Sequence, residues 1–197
     1  MGWTVATAAN LQPRERLWVT LAGLAADVDG AGVIAEILTR HTAHPLLWWT
    51  QYHHVVGHNL LFGVAFAVLA AALAQRRGLV FGLALLSYHL HLIADVLGGR
   101  GPTGDLWTIP YFWPFSDAWI WSWQNQWKLN SWQNLLITAV LMFWAFRLAW
   151  KRGYSPVSLI SQRADAAVVE VLRRRFPLPK TAPSQPQTGN GAQKAGE

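Results

Sequence analysis

The 197-residue chain is 52% hydrophobic and only 13% charged, carries a net charge of +6 and lacks cysteine. That is enough chain for one domain, and it is too apolar for an ordinary soluble one. Without thiols, disulfide scaffolds and thiolate zinc or iron–sulfur sites are excluded, so any metal must be held by nitrogen and oxygen.

Thirteen tryptophans point to a membrane–water interface, where a flat ring with one polar edge sits half wet. The cations cluster at the ends of apolar segments and in the tail, a pattern that suits anionic lipid headgroups and not nucleic acid. The start has neither the basic region nor the apolar run of a signal peptide. The first apolar segments are therefore expected to act as uncleaved anchors.

In chain order, residues 17–26 are apolar but short and run into Asp27-Val28-Asp29-Gly30. Residues 31–51 are mixed and read as a partly helical loop near the interface. Residues 59–74 are continuously apolar and close on Gln75-Arg76-Arg77-Gly78. A spanning helix needs about 20 residues, so this segment reaches that length only if its helix begins near Val55. Residues 79–97 form a second run of full length, interrupted by Ser87, Tyr88, His89, His91 and Asp95. A long loop rich in Gly, Pro and Trp follows over 98–131, and a loop of that length is usually functional. Residues 132–150 are the third candidate span, stopped by Lys151-Arg152-Gly153. Ser155-Pro156 has the form of a helix start and opens a basic amphipathic stretch over 157–176, suited to a membrane surface. From residue 177 onward the composition reads as disordered. The expected fold is all-α: a polytopic membrane bundle of about four helices over 1–154, an amphipathic surface helix over 155–176 and a tail over 177–197.

Arg14/Arg16, Arg76/Arg77 and Lys151/Arg152 mark alternate turns, and the positive-inside rule assigns those ends to the cytoplasm. Asp27, Asp29, His58 and Asp95 then arrive together at the outer face.

Ionisable groups inside a bilayer cost about 2.5–3.5 kcal/mol on insertion scales and mark functional sites. His91 and Asp95 are an i, i+4 pair, roughly 40° apart on a helix, so both can reach one cation; alternatively they satisfy each other by hydrogen bonding. His54 and His58 share that spacing, whereas His53 and His58 lie roughly 140° apart on a helix. His54 is thus the geometric choice unless His53 precedes the helix and folds back. Asp27 and Asp29 can serve as ligands or as a turn before Gly30. Imidazole with carboxylate suits Zn²⁺ first, with Mn²⁺ and Fe²⁺ as alternatives. Six such groups suffice for one or two ions, an arrangement used in phosphoester hydrolysis. Arg100 is a candidate cation for the developing charge.

These motifs resemble those of the YdjM-like family of predicted membrane-bound metal-dependent hydrolases. Its Asp-x-Asp, His-x4-His and His-x3-Asp correspond here to Asp27/Asp29, His53/His58 and His91/Asp95, with Gly101, Leu106 and Pro110 in the loop. His54 stands where the family commonly has Arg, and Gly57-His58-Asn59 replaces Thr-His-Ser. The resemblance implies a bacterial inner-membrane protein with Asp27, Asp29, His53, His58, His91 and Asp95 as ligands, so it favours His53 over His54. Catalytic roles then fall to Asp27, Asp29, His58 and Arg100, with membrane phospholipid as environment and substrate. Two rivals stand beside it: a non-catalytic metal-binding or metal-transport protein, and bis-histidine haem ligation by His58 and His91.

Overall fold

A computed structural model describes residues 1–101 and 104–179. Pro102 of the glycine-rich loop and the tail beyond 179 lie outside the described residues. Among the described residues the chain forms eight α-helices and one two-stranded ribbon.

Two short helices, α1 (Gly2–Ala8) and α2 (Pro13–Ala22), lead into a 3₁₀ helix, Ala25–Ala31. Pro13 sits at the first turn of α2, where no N–H is needed, and Gln12 with Glu15 forms a capping box. Next come α3 (Gly32–Thr39) and α4 (Trp48–Tyr52), joined by Thr50 hydrogen bonds to the Glu36 carboxylate. No residue of α3 is buried, and Ile34, Ile37, Leu38 and Trp48 all stand exposed beside it. A contiguous apolar surface of this kind marks contact with lipid or protein.

The bundle proper is α5 (Leu60–Ala72), α6 (Arg77–Gly98) and α7 (Trp132–Arg152). At 22 and 21 residues, α6 and α7 are long and apolar enough to cross a membrane. Helix α5 has 13 residues, about 20 Å of helix against a hydrocarbon core of about 30 Å. It does not begin near Val55, because Asn59 caps it by accepting from Phe62 N–H at 2.9 Å. The helical membrane bundle is thus built from two helices of spanning length and several shorter ones.

Packing is close because facing residues are small. Ala6, Val19, Ala22, Ala67, Ala70 and Ala84 form the core between α1, α2, α5 and α6, the residue type that lets apolar helices approach closely. A Cβ on Gly63 would lie 2.4 Å from the Tyr88 ring. That missing side chain seats Tyr88, whose hydroxyl donates to the carbonyls of Gly57 and Asn59.

One end of the bundle gathers the cations that the charge pattern singles out. Buried Glu15 accepts from Arg76 N at 2.9 Å and from Gln12 N at 3.2 Å. Asn10 receives both Arg76 and Arg152, and the Arg16 guanidinium lies 3.7 Å over the Tyr154 ring. His91 stands 14 residues beyond Arg77, about 21 Å along the helix. The two ends of α6 therefore carry different chemistry.

Beyond α6, the strands β1 (Ile109–Pro110) and β2 (Ile120–Trp121) pair antiparallel. Tyr111 stacks on Trp121 at 4.2 Å and its hydroxyl meets His89 Nε2 at 2.8 Å. His89 is thus a structural pin that fastens this loop to α6. After α7, Ser155-Pro156 opens a 3₁₀ turn, Pro156–Leu159, in place of the expected helix start. Asp165 draws Ser155 back through 2.6 Å hydrogen bonds, and Ser161 caps the true helix, α8 (Gln162–Arg175).

Glu15→Gln keeps the shape but removes the ionic acceptor that clamps α2 to the α5–α6 turn. The expected loss is about 1–3 kcal/mol, read as a lower unfolding midpoint in detergent; an unchanged midpoint contradicts the clamp.

Candidate metal centre

Three segments bring ligand-type side chains together: the 3₁₀ helix after α2, the turn before α5 and the last two turns of α6. His58 Nε2 lies 3.5 Å from Asp95 Oδ2 and 3.9 Å from Asp27 Oδ1. His91 Nε2 lies 3.2 Å from the same Asp95 oxygen and 3.3 Å from the same Asp27 oxygen. His58 Nε2, His91 Nε2 and Asp95 Oδ2 are buried and have no hydrogen-bond partner. Buried polar atoms are normally paired, so three orphans around one point call for a missing partner. Tetrahedral donors about 2.0–2.1 Å from a zinc ion stand about 3.3 Å from one another. The measured separations bracket that value; Asp27, His58 and His91 offer ligand atoms that all lie within 4.8 Å of one another, Asp95 Oδ2 adjoins both imidazoles, and imidazole with carboxylate is a suitable set for a divalent cation. The residues present fit such an ion.

Asp29 sits behind this group. Its Oδ1 accepts from His53 Nδ1 at 2.9 Å, and its Oδ2 accepts from Gly57 N at 2.9 Å and His58 Nδ1 at 3.1 Å. Burial opposes ionisation of Asp29, yet the hydrogen bonds from His53, His58 and Gly57 prevail and hold its carboxyl well below the usual range. A proton fixed on His58 Nδ1 leaves Nε2 as a lone pair facing Asp95 and Asp27, the arrangement in which a carboxylate orients a metal-binding imidazole. Asp27 and Asp29 separate because they ride on a 3₁₀ helix, where residues two apart point roughly 120° from each other.

The His53/His54 alternative turns on the backbone. Helix α4 ends at Tyr52 and α5 starts at Leu60, so His54 and His58 are not on one helix and the i, i+4 argument lapses. His54 adopts φ 69°, the left-handed region, and this reverses the chain. Its ring stacks on His58 at 4.5 Å and meets the Trp107 edge at 3.9 Å. Burial, helped by the neighbouring His58 and His53, lowers its pKa to about 4, leaving it neutral near pH 7. His53 stacks on Trp49 at 3.8 Å and holds Asp29.

Arg100 is placed differently from the sequence-based expectation. Its guanidinium donates to Gln124 O at 2.8 Å and its backbone bridges to Lys128, so its hydrogen bonding serves the loop. The long loop contributes Trp107 instead, fixed by Gln126 through hydrogen bonds to its backbone N–H and carbonyl. No spacing rule in the sequence selects Trp107 from among thirteen tryptophans.

Access runs through Asp27, whose side chain is 53% exposed whereas that of His58 is wholly buried. A model of the YdjM inner membrane protein family matches residues 1–168, a span that includes every residue of this centre. The chain belongs to that family. No curated protein and no solved structure matches it. Membership in the YdjM family sets the chain in a membrane and gives the apolar outer surface of α7, where Leu135, Val140 and Phe143 are exposed, a lipid neighbour.

Gly57 is the tightest point of the centre, since a Cβ there would lie 2.0 Å from Ala26 O and 3.2 Å from Asp29 Cγ. Gly57→Ala must push the 3₁₀ helix away and slacken the Asp29–His58 contact. Metal affinity, followed by titration with Zn²⁺, is expected to fall about 10–100-fold; wild-type affinity in this variant contradicts the orienting role of Asp29.

Proposed function

We propose that this YdjM-family protein is a membrane-bound, metal-dependent hydrolase acting on phosphoesters of lipid headgroups. The observation that carries the reading is the convergence of His58 Nε2, His91 Nε2 and Asp95 Oδ2, buried and unpartnered, on half-exposed Asp27. Asp27, His58, His91 and Asp95 hold the ion in this reading, with Zn²⁺ preferred over Mn²⁺ or Fe²⁺. Asp29 and His53 act behind them: Asp29 orients His58, and His53 holds the far oxygen of Asp29. A divalent cation supplies Lewis acidity and lowers the pKa of a water toward neutrality. His54 stacks on His58 and is covered in turn by Trp107, which closes this side of His58 and leaves the Asp27 side open. Asp27, at the opening, is placed to accept a proton there. The positive-inside rule, applied to the Arg16/Arg76/Arg152 end, assigns the centre to the outer face of the inner membrane.

The transport rival needs a polar path from Asp95 toward Arg76. Leu92, Tyr88, Ala84 and Val80, on the inward side of α6, are all fully buried, and the Tyr88 hydroxyl is engaged by the Gly57 and Asn59 carbonyls. This apolar seal favours a site open on one side.

Elemental analysis of detergent-purified wild type, His91→Ala and Asp95→Asn tests the reading when paired with a phosphodiester and phospholipid hydrolysis assay. Wild type is expected to retain metal and turn over a phosphoester. Both variants should lose metal, and activity should fall by more than the about 10–100-fold typical of outer partners. Metal retained in His91→Ala overturns the site; metal lost with no turnover in wild type favours binding or transport.

A further inference from the structure

Helix α7 is held at its two ends and stands off α6 between them. At the centre's end, Asn134 donates to Gly98 O at 2.9 Å and accepts from Trp127 Nε1 at 2.7 Å. At the other, Ala149 is buried and Arg152 reaches Asn10. Between these anchors lies a groove of about 470 Å³, floored by α1 and the end of α2. Thr138, Leu141, Met142 and Ala145 turn one stripe of α7 toward it, and Ser87 and His91 line it from α6. Among the described residues, His91 is the only ionisable side chain on these walls, and its Nε2 belongs to the candidate metal centre. One imidazole ring therefore forms a wall of the groove and a corner of the centre.

Two donors in the groove lack partners. Ser87 Oγ and Trp3 Nε1 are buried without a hydrogen bond, and both residues line it. Ser87 is wedged so closely that a Cβ on Gly2 or Gly23 would lie 2.6 or 2.7 Å from its oxygen. Neither hydroxyl nor indole N–H is buried unpaired without cost. Size decides what fills the space. From Thr138 to Ala145 the stripe runs about 10 Å, over which a helix about 10–12 Å across occupies roughly 800 Å³ or more. A second helix does not fit. An extended hydrocarbon chain does, and its walls are the two helices of membrane-spanning length, so the groove faces the hydrocarbon that would supply it.

We propose that this groove binds one acyl chain of a lipid whose polar head lies at Asp27, His58, His91 and Asp95. The head's position rests on the hydrolase reading above; the chain's position does not depend on turnover.

The test uses full-length protein in phosphatidylethanolamine vesicles doped with a phospholipid carrying a photoactivatable diazirine midway along one acyl chain. After illumination, adducts are mapped by peptide mass spectrometry, and phosphoester turnover is recorded on the same preparation. Adducts are expected on the inner stripe, Thr138 to Ala145, and on Gly23 and Leu24, in excess of those on outward-facing Leu136, Val140 and Phe143. In Ala145→Trp the inner adducts should fall about tenfold while outer ones persist. Leu141→Trp serves as the second plug should Ala145→Trp unfold. Adducts spread evenly around α7, or inner adducts unchanged in a folded plugged variant, overturn the groove. Inner adducts without turnover keep the groove and sink the hydrolase; turnover with evenly spread adducts does the reverse.

Discussion

The structure depends on one buried carboxylate. Asp29 binds three donors, two from imidazoles and one from the backbone of Gly57, and thereby ties the 3₁₀ helix to the turn that precedes α5. Charge-assisted bonds of this kind are roughly twice as strong as neutral ones, and without them a carboxylate so buried is costly. The same bonds fix which nitrogen of His58 faces inward. Fold and chemistry thus share one side chain. Losing it leaves His58 free to turn and leaves Gly57 without the partner that justifies its close approach to Ala26.

Around that point the bundle separates its polar work into two ends. At one end Glu15 and Asn10 accept hydrogen bonds from Arg76 and Arg152, and the Arg16 guanidinium lies over the Tyr154 ring. The other end leaves three buried atoms unpaired. Polar groups beside lipid are expensive when unsatisfied; single unpaired atoms such as Arg16 Nε and Thr7 Oγ1 are scattered, whereas these three converge with Asp27 on one point, the mark of a cluster built to receive something. Between them, small residues let α1, α2, α5 and α6 pack closely, while α7 is kept at a distance and leaves hydrocarbon-lined space beside His91.

Much of the centre was legible because it rests on helical periodicity. His91 and Asp95 meet as their spacing requires, and the charge-marked turns do converge at one end of the bundle. What periodicity cannot describe was not legible. Asp27 and Asp29 read alike in sequence, but the 3₁₀ geometry aims them apart, so only Asp27 joins the converging atoms. His54 and His58 have helical spacing in sequence, but Asn59 begins α5 only after both. Ser155-Pro156 has a helix-start signature, yet Asp165 diverts it into a separate turn. Trp107 and the Arg100–Gln124 contact belong to a loop whose path depends on tertiary hydrogen bonds. Residue type alone does not encode such a path.

The most direct measurement is X-ray absorption spectroscopy of the purified protein loaded with one equivalent of Zn²⁺. The account predicts a first shell of nitrogen and oxygen at about 2.0–2.1 Å, with outer-shell scattering characteristic of about two imidazole rings. A shell of oxygen alone, with no imidazole signature, would contradict a cation held between His58 and His91.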